Sequence, residues 1–147
     1  MKILAVANAG GHFIQLLRLR PAFGDHQVAY LSSIKDFKEL VKESTFFQVP
    51  DANRSTKLEL VKSLFRVARI VRFYKPDVII TTGAALGLLS VVVGRILGIK
   101  TIWVDSMANV ERISLSGRLA SFFVHQAFTQ WSQLSTTKFI YRGNVIS

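Results

Sequence analysis

The sequence predicts an α/β fold, a Rossmann-like parallel sheet with helices on both faces, and three observations carry the prediction. Short apolar runs of strand length alternate with amphipathic stretches of helical period along the chain. Glycine turns, at Gly10-Gly11 and at Gly83, sit where a strand-like run gives way to a helix-like one. The 147 residues, 50% hydrophobic and 19% charged, suffice for one domain with a buried core, and no repeat, low-complexity tract or linker divides 1–147.

Taken in order, Lys2–Ala7 is apolar after its first residue and reads as a buried strand. Phe13–Leu19 has the spacing of a short helix, Val28–Leu31 is a second strand, Ile34–Val41 a weak helix and Phe46–Val49 a third strand. A polar loop, Pro50 to Thr56, precedes a long helix over Lys57–Tyr74, which the Lys75-Pro76 pair ends because proline cannot continue it. Val78–Thr81 is the next strand, followed by the Gly83 turn, an apolar helix Leu86–Leu97 and a strand Thr101–Val104. A helix over Gly117–Val124 and short strands near Phe128 and Phe139 complete the alternation.

Charge and hydropathy narrow the partners. The net charge of +10 calls for a polyanionic partner, and a mean hydropathy of +0.32 is high for so basic a chain. Together they favour an anionic membrane surface over a nucleic acid. The long helix shows how such a surface is met: Leu60, Leu64, Val67, Val71 and Tyr74 form one stripe, while Lys62, Phe65, Arg66, Arg69 and Phe73 lie on the other side. Cations among phenylalanines suit headgroups and the acyl boundary; the alternative is a solvated face with incidental rings. The run Thr81 to Gly94, ended by Arg95, falls short of the roughly 20 residues that span a bilayer. The Met1–Ala7 start is not read as a signal peptide, since cleavage would delete the first strand. With no cysteine, a disulfide framework or thiolate metal site is excluded.

Three loops leave strands at one sheet edge, where doubly wound sheets bind ligands. Gly10 and Gly11 let an anion approach a helix N-terminus, and His12 adds a side chain that exchanges protons near neutrality. Thr82 and Gly83 form a second anion-accepting turn; Asp105 supplies a carboxylate, with Ser106 and Asn109 as hydrogen-bonding neighbours, unless these merely cap the next segment.

These residues resemble a known family. Gly10-Gly11-His12, Thr81-Thr82-Gly83, Trp103 to Val110, Ser114 to Leu119, Gln130-Trp131 and Tyr141-Arg142-Gly143 together resemble the Alg-fourteen-like polysaccharide-biosynthesis proteins over nearly the whole chain. The glycine-histidine loop and the long helix are also similar to the N-terminal domain of MurG-type transferases. The resemblance implies the N-terminal half of a GT-B glycosyltransferase: an acceptor-binding, membrane-associating subunit whose partner chain carries the UDP-sugar. The family has Glu-Ser followed by Arg where this chain has Asp105-Ser106 and Asn109, and eukaryotic members begin with a transmembrane helix. A bacterial exopolysaccharide or capsule enzyme, peripheral on the cytoplasmic face of the plasma membrane, is therefore expected.

The implied reaction is inverting transfer from a UDP-sugar to a polyprenyl-diphosphate-linked sugar. His12 or Asp105 would be the base, and Gly10, Gly11, Thr82, Gly83, Ser106 and Asn109 would hold the acceptor and its phosphates. Trp131 and Tyr141 would meet the donor-binding subunit in a heterodimer. No cofactor is expected on this chain, and without an Asp-x-Asp pair no metal is indicated. A dinucleotide-binding domain lacks its Gly-x-Gly-x-x-Gly fingerprint here, and a basic nucleic-acid-binding α/β module lacks RNP-type aromatics or zinc spacing.

Overall fold

A computed structural model describes residues 1–50 and 56–146. Its centre is a seven-stranded, wholly parallel sheet of order β3-β2-β1-β4-β5-β6-β7. The strands are β1 (Lys2–Ala7), β2 (Gln27–Ser32), β3 (Thr45–Gln48), β4 (Val78–Thr81), β5 (Lys100–Val104), β6 (Gln126–Thr129) and β7 (Phe139–Tyr141). The helices are α1 (Gly11–Arg18), α2 (Arg20–Phe23), α3 (Lys57–Tyr74), α4 (Ala84–Ile96) and α5 (Leu115–Ala120). The expected class is the observed one.

Alternation within β1 divides the core. Ile3, Ala5 and Ala7 pack with Phe13 and Leu16 of α1, Phe23 of α2 and Tyr30. Leu4 and Val6 face the other way, against Val67, Val71 and Tyr74 of α3 and Leu86 and Val93 of α4. Trp103, Val91, Ala120, Ala127 and Phe139 continue that second layer beneath α5. Burial pushes the Tyr30 and Tyr74 hydroxyls above the usual phenol range, with Asp77 adding to the effect at Tyr74 and Arg20 opposing it at Tyr30, so both act as neutral packing groups.

Departures from the expected elements have local causes. The weak helix is a 3-10 stretch, Lys35–Val41, held by Phe37 stacking on Phe13 at 4.4 Å rather than by helical periodicity. The C-terminal helix stops at Ala120 rather than Val124, because the chain must turn there to bring the His125 N–H to the Thr101 carbonyl at 3.0 Å. α3 has its expected bounds: Lys75 takes φ 54°, its N–H reaches the Val71 carbonyl at 2.9 Å, and Pro76 blocks another turn. Residues 51–55 of the expected polar loop lie outside the described residues.

Close packing of α4 on β4 depends on Gly87. A methyl there would overlap Thr81 Oγ1 and lie 3.2 Å from Thr81 Cβ. Gly87→Ala should therefore lower stability by about 1–3 kcal/mol, outweighing the gain of about 1 kcal/mol in helix propensity. A urea midpoint at or above that of the wild type would contradict this packing.

Candidate functional site

Strand order reverses direction between β1 and β4. β1 leads into α1 on one face, and the adjacent β4 leads into α4 on the other. The carboxyl ends of both strands and the N-termini of both helices therefore border one crevice, the general ligand position in such sheets.

Gly10 opens this crevice. It takes φ 78° and ψ −140°, which the absence of Cβ permits, and nothing lies within 4 Å of where a Cβ on Gly10 or Gly11 would stand. The Phe13 and Ile14 amides reach the Gly10 carbonyl at 3.1 and 3.4 Å, while those of Gly11 and His12, the first of α1, have no acceptor among the described residues. Asn8 faces the second helix, its Oδ1 accepting from the Leu86 N–H at 2.9 Å.

His12 and Thr82 clasp each other. Thr82 Oγ1 donates to the His12 carbonyl at 2.6 Å, and His12 Nδ1 stands 3.0 Å from the Thr82 carbonyl. A carbonyl only accepts, so Nδ1 carries the proton, and the neutral imidazole has its lone pair on Nε2. Among the described residues Nε2 has no hydrogen-bond partner. In that tautomer Nε2 is the nitrogen able to accept a hydrogen bond.

Two expectations change here. Thr82 is fully buried with its hydroxyl committed to His12, and the amides of Thr82 and Gly83 donate to the Val6 carbonyl and to Thr81 Oγ1, at 3.4 and 3.1 Å. They hold the turn together instead of offering donors to a phosphate. Asp105 is only 2% exposed, and its carboxylate accepts from Trp103 Nε1 at 3.0 Å, Ser114 Oγ at 2.6 Å, Ser114 N at 3.0 Å and Asn109 Nδ2 at 3.3 Å. With its lone pairs taken, it organises the loop after β5 and is not placed to receive a proton from a ligand.

Ser106 belongs to a second buried network. Its hydroxyl accepts from Gln15 Nε2 at 3.2 Å, while Gln15 Oε1 accepts from the Met107 N–H and from Gln130 Nε2, both at 2.9 Å. Gln130 Nε2 also reaches the Asp105 carbonyl at 2.8 Å. α1, the β5 loop and the segment after β6 are thereby tied behind the crevice. Sequence reasoning missed Gln15, Ser114 and Trp103 as parts of the site; a glutamine on the apolar face of a short helix was the available signal.

The remaining expected residues lie elsewhere. Lys62, Phe65, Arg66, Arg69 and Phe73 are exposed on α3, with Phe65 at 70% and Phe73 at 77%; Lys62 pairs with Glu59 at 3.6 Å. Val67, Val71 and Tyr74 are buried and Leu64 packs against them, while Leu60, the first residue of the expected inner stripe, is half-buried and stands outside this cluster. Leu115, Leu119 and Phe122 in and just after α5 are also exposed, with Lys138 Nζ 4.7 Å over the Phe122 ring. Half-buried Trp131 donates its indole N–H to the Met107 carbonyl at 2.8 Å, and Tyr141 ends the edge strand β7. Nearby, a largely apolar cavity of about 660 Å³ lies on the α1 side of the sheet, floored by Ile80, Ile102, Val104 and Phe128 and bordered by Arg142. Among the described residues no helix is long and apolar enough to cross a membrane.

Solved structures identify the class. MurG from Acinetobacter baumannii matches with a TM-score of 0.77 at 15% identity, covering 95% of this chain and 45% of that one. A UDP-GlcNAc 2-epimerase from Neisseria meningitidis, solved with UDP-GlcNAc bound, matches at 0.71 and 15%, covering 99% and 47%. This chain spans under half of either structure, and the likeness is one of fold: a Rossmann-like domain of the kind found at the N-terminus of GT-B glycosyltransferases such as MurG.

The particular family follows from sequence: the chain belongs to the oligosaccharide biosynthesis protein Alg14 like family, whose model matches residues 41–145. The UDP-N-acetylglucosamine transferase subunit alg14 of Schizosaccharomyces pombe is 27% identical over 164 residues, covering 91% of this chain and 77% of that protein. The human subunit ALG14 is 23% identical over 180 residues, covering 99% and 83%.

Proposed function

We propose that this protein is the acceptor-binding, membrane-associating subunit of a two-chain inverting glycosyltransferase. Its reaction is transfer of a sugar from a UDP-sugar, N-acetylglucosamine by analogy with the named relatives, to a sugar on a polyprenyl-diphosphate carrier. The observation that carries the reading is His12, which follows the Gly10-Gly11 turn: its Nδ1 proton is held by the Thr82 carbonyl, and its Nε2 has no partner among the described residues. The acceptor hydroxyl gives its proton to Nε2 as its oxygen bonds to the anomeric carbon; the bond from that carbon to the UDP oxygen breaks on the opposite side, and UDP leaves. The amides at the start of α1 hold the acceptor diphosphate, while Asp105, Asn109 and Ser106 shape the wall behind it.

The donor site falls to a partner chain, a reading that the relatives' designation as subunits supports. Its contact is assigned to the Trp131 and Tyr141 end and the adjoining apolar cavity. The basic, aromatic face of α3 lies on the cytoplasmic surface of the plasma membrane, with the exposed stripe beginning in α5 on the same side of the sheet. The family is described by oligosaccharide biosynthesis and its relatives as UDP-N-acetylglucosamine transferase subunits, which supports a lipid-linked oligosaccharide as the product rather than a capsule or exopolysaccharide. These descriptions lend the nucleic-acid alternative no support.

Titration of the isolated chain with UDP-N-acetylglucosamine should show no saturable binding below about 1 mM, an affinity weaker than about −4 kcal/mol. Transfer to a polyprenyl-diphosphate-linked sugar should appear only after co-expression with a donor-binding glycosyltransferase chain. Transfer by this chain alone would refute the split-enzyme reading.

A further inference from the structure

We propose that Trp103, oriented by Asp105, is a positioning residue for His12, an inference that rests on His12 being the base. Trp103 is fully buried, and the only polar atom of its side chain, Nε1, donates to Asp105 Oδ1 at 3.0 Å. A buried carboxylate is tolerable only when its oxygens are satisfied, and Ser114 and Asn109 satisfy the rest of this one. Asp105 is therefore an immobile acceptor, and it fixes the rotation of the indole about its own bonds.

The benzene-ring carbon Cζ2, two bonds from Nε1 on the edge that Asp105 holds, faces Gly83. A Cβ placed on Gly83 would stand 3.4 Å from Trp103 Cζ2 and 3.5 Å from both Cε1 and Nδ1 of His12. Gly83, at φ 117°, thus faces both rings across the space of one methyl, and the peptide that precedes it carries the Thr82 carbonyl that holds the His12 Nδ1 proton. Next in the chain, Ala84 has φ 65°, a conformation that an L residue keeps only where its surroundings enforce it. The indole supports this strained turn from beneath. A smaller ring would open space under Gly83, let the Thr82 carbonyl draw away from Nδ1, and let the imidazole proton distribute over both nitrogens. Only the Nδ1–H tautomer leaves Nε2 free to accept a proton, so Trp103 acts on turnover without touching substrate.

Trp103→Phe tests this in two ways. On the isolated chain, nitrogen NMR of the imidazole should show the Nδ1–H tautomer in the wild type and a mixture in the variant. In the co-expressed pair, kcat should fall about tenfold with KM for UDP-N-acetylglucosamine unchanged, and that loss should vanish in the His12→Ala background. Equal losses in both backgrounds, or an unchanged tautomer, would overturn the proposal. Should the Phe variant not fold, Ser114→Ala takes its place in the same cycle and spectra, since it keeps Trp103 and removes the 2.6 Å bond to Asp105 Oδ1. Full activity of His12→Ala would remove the base assignment alone; the tautomer spectra would still decide whether Trp103 positions the ring.

Discussion

His12→Ala is expected to lower turnover of the co-expressed pair by about 10²–10⁴-fold, the usual contribution of a general base. KM for the UDP-sugar should hardly change, because the donor occupies the other chain. The variant should fold: the lost side-chain contact is the single hydrogen bond from Nδ1 to the Thr82 carbonyl, about 1 kcal/mol, while the Thr82 hydroxyl keeps its bond to the backbone carbonyl of residue 12. Activity within a few-fold of the wild type would remove His12 from the chemistry. A large fall in melting temperature would instead mark the ring as structural.

Replacing Lys62, Arg66 and Arg69 together by glutamine is expected to weaken binding to phosphatidylglycerol-containing vesicles by about a hundredfold at low salt. Each cation near an anionic surface contributes about 1 kcal/mol, so the three sum to about 3 kcal/mol. Lys62 contributes least, because Glu59 is its neighbour at 3.6 Å. Phe65→Ser and Phe73→Ser should weaken binding by an amount that persists as salt rises, whereas the charge effect should fade once the Debye length falls below about 10 Å. Neither set touches Val67, Val71 or Tyr74, which anchor α3 to the sheet. Wild-type affinity of the triple variant at low salt would leave α3 a solvated face.

Most of the fold was legible in the chain. Strands β1 and β4 have their expected bounds because each is a short unbroken apolar run with a glycine or proline nearby, and α3 because it is a long run of helical period that Pro76 ends. The Lys35–Val41 stretch was not legible as a 3-10 helix, because its form follows from Phe37 lying on Phe13, a contact that no local pattern encodes. Helix α5 similarly takes its length from the turn to β6.

The site divides along the same line. By itself, the sequence determined which loops meet, since an alternating parallel sheet carries all its strand-to-helix turns to one edge; it also determined the two stripes of α3, since helical spacing sorts side chains by face. Tertiary structure alone decided what the polar residues do at that edge. Asp105 and His12 are both candidate bases by residue type, yet Asp105 is encircled by donors from Trp103, Asn109 and Ser114, whereas His12 meets one carbonyl, from Thr82, a residue 70 positions away. Gln15 finds Ser106 and Gln130 across 91 and 115 positions. The chemistry of a titratable or hydrogen-bonding group is set by burial and by the partners that surround it, and those partners come together only when distant segments pack.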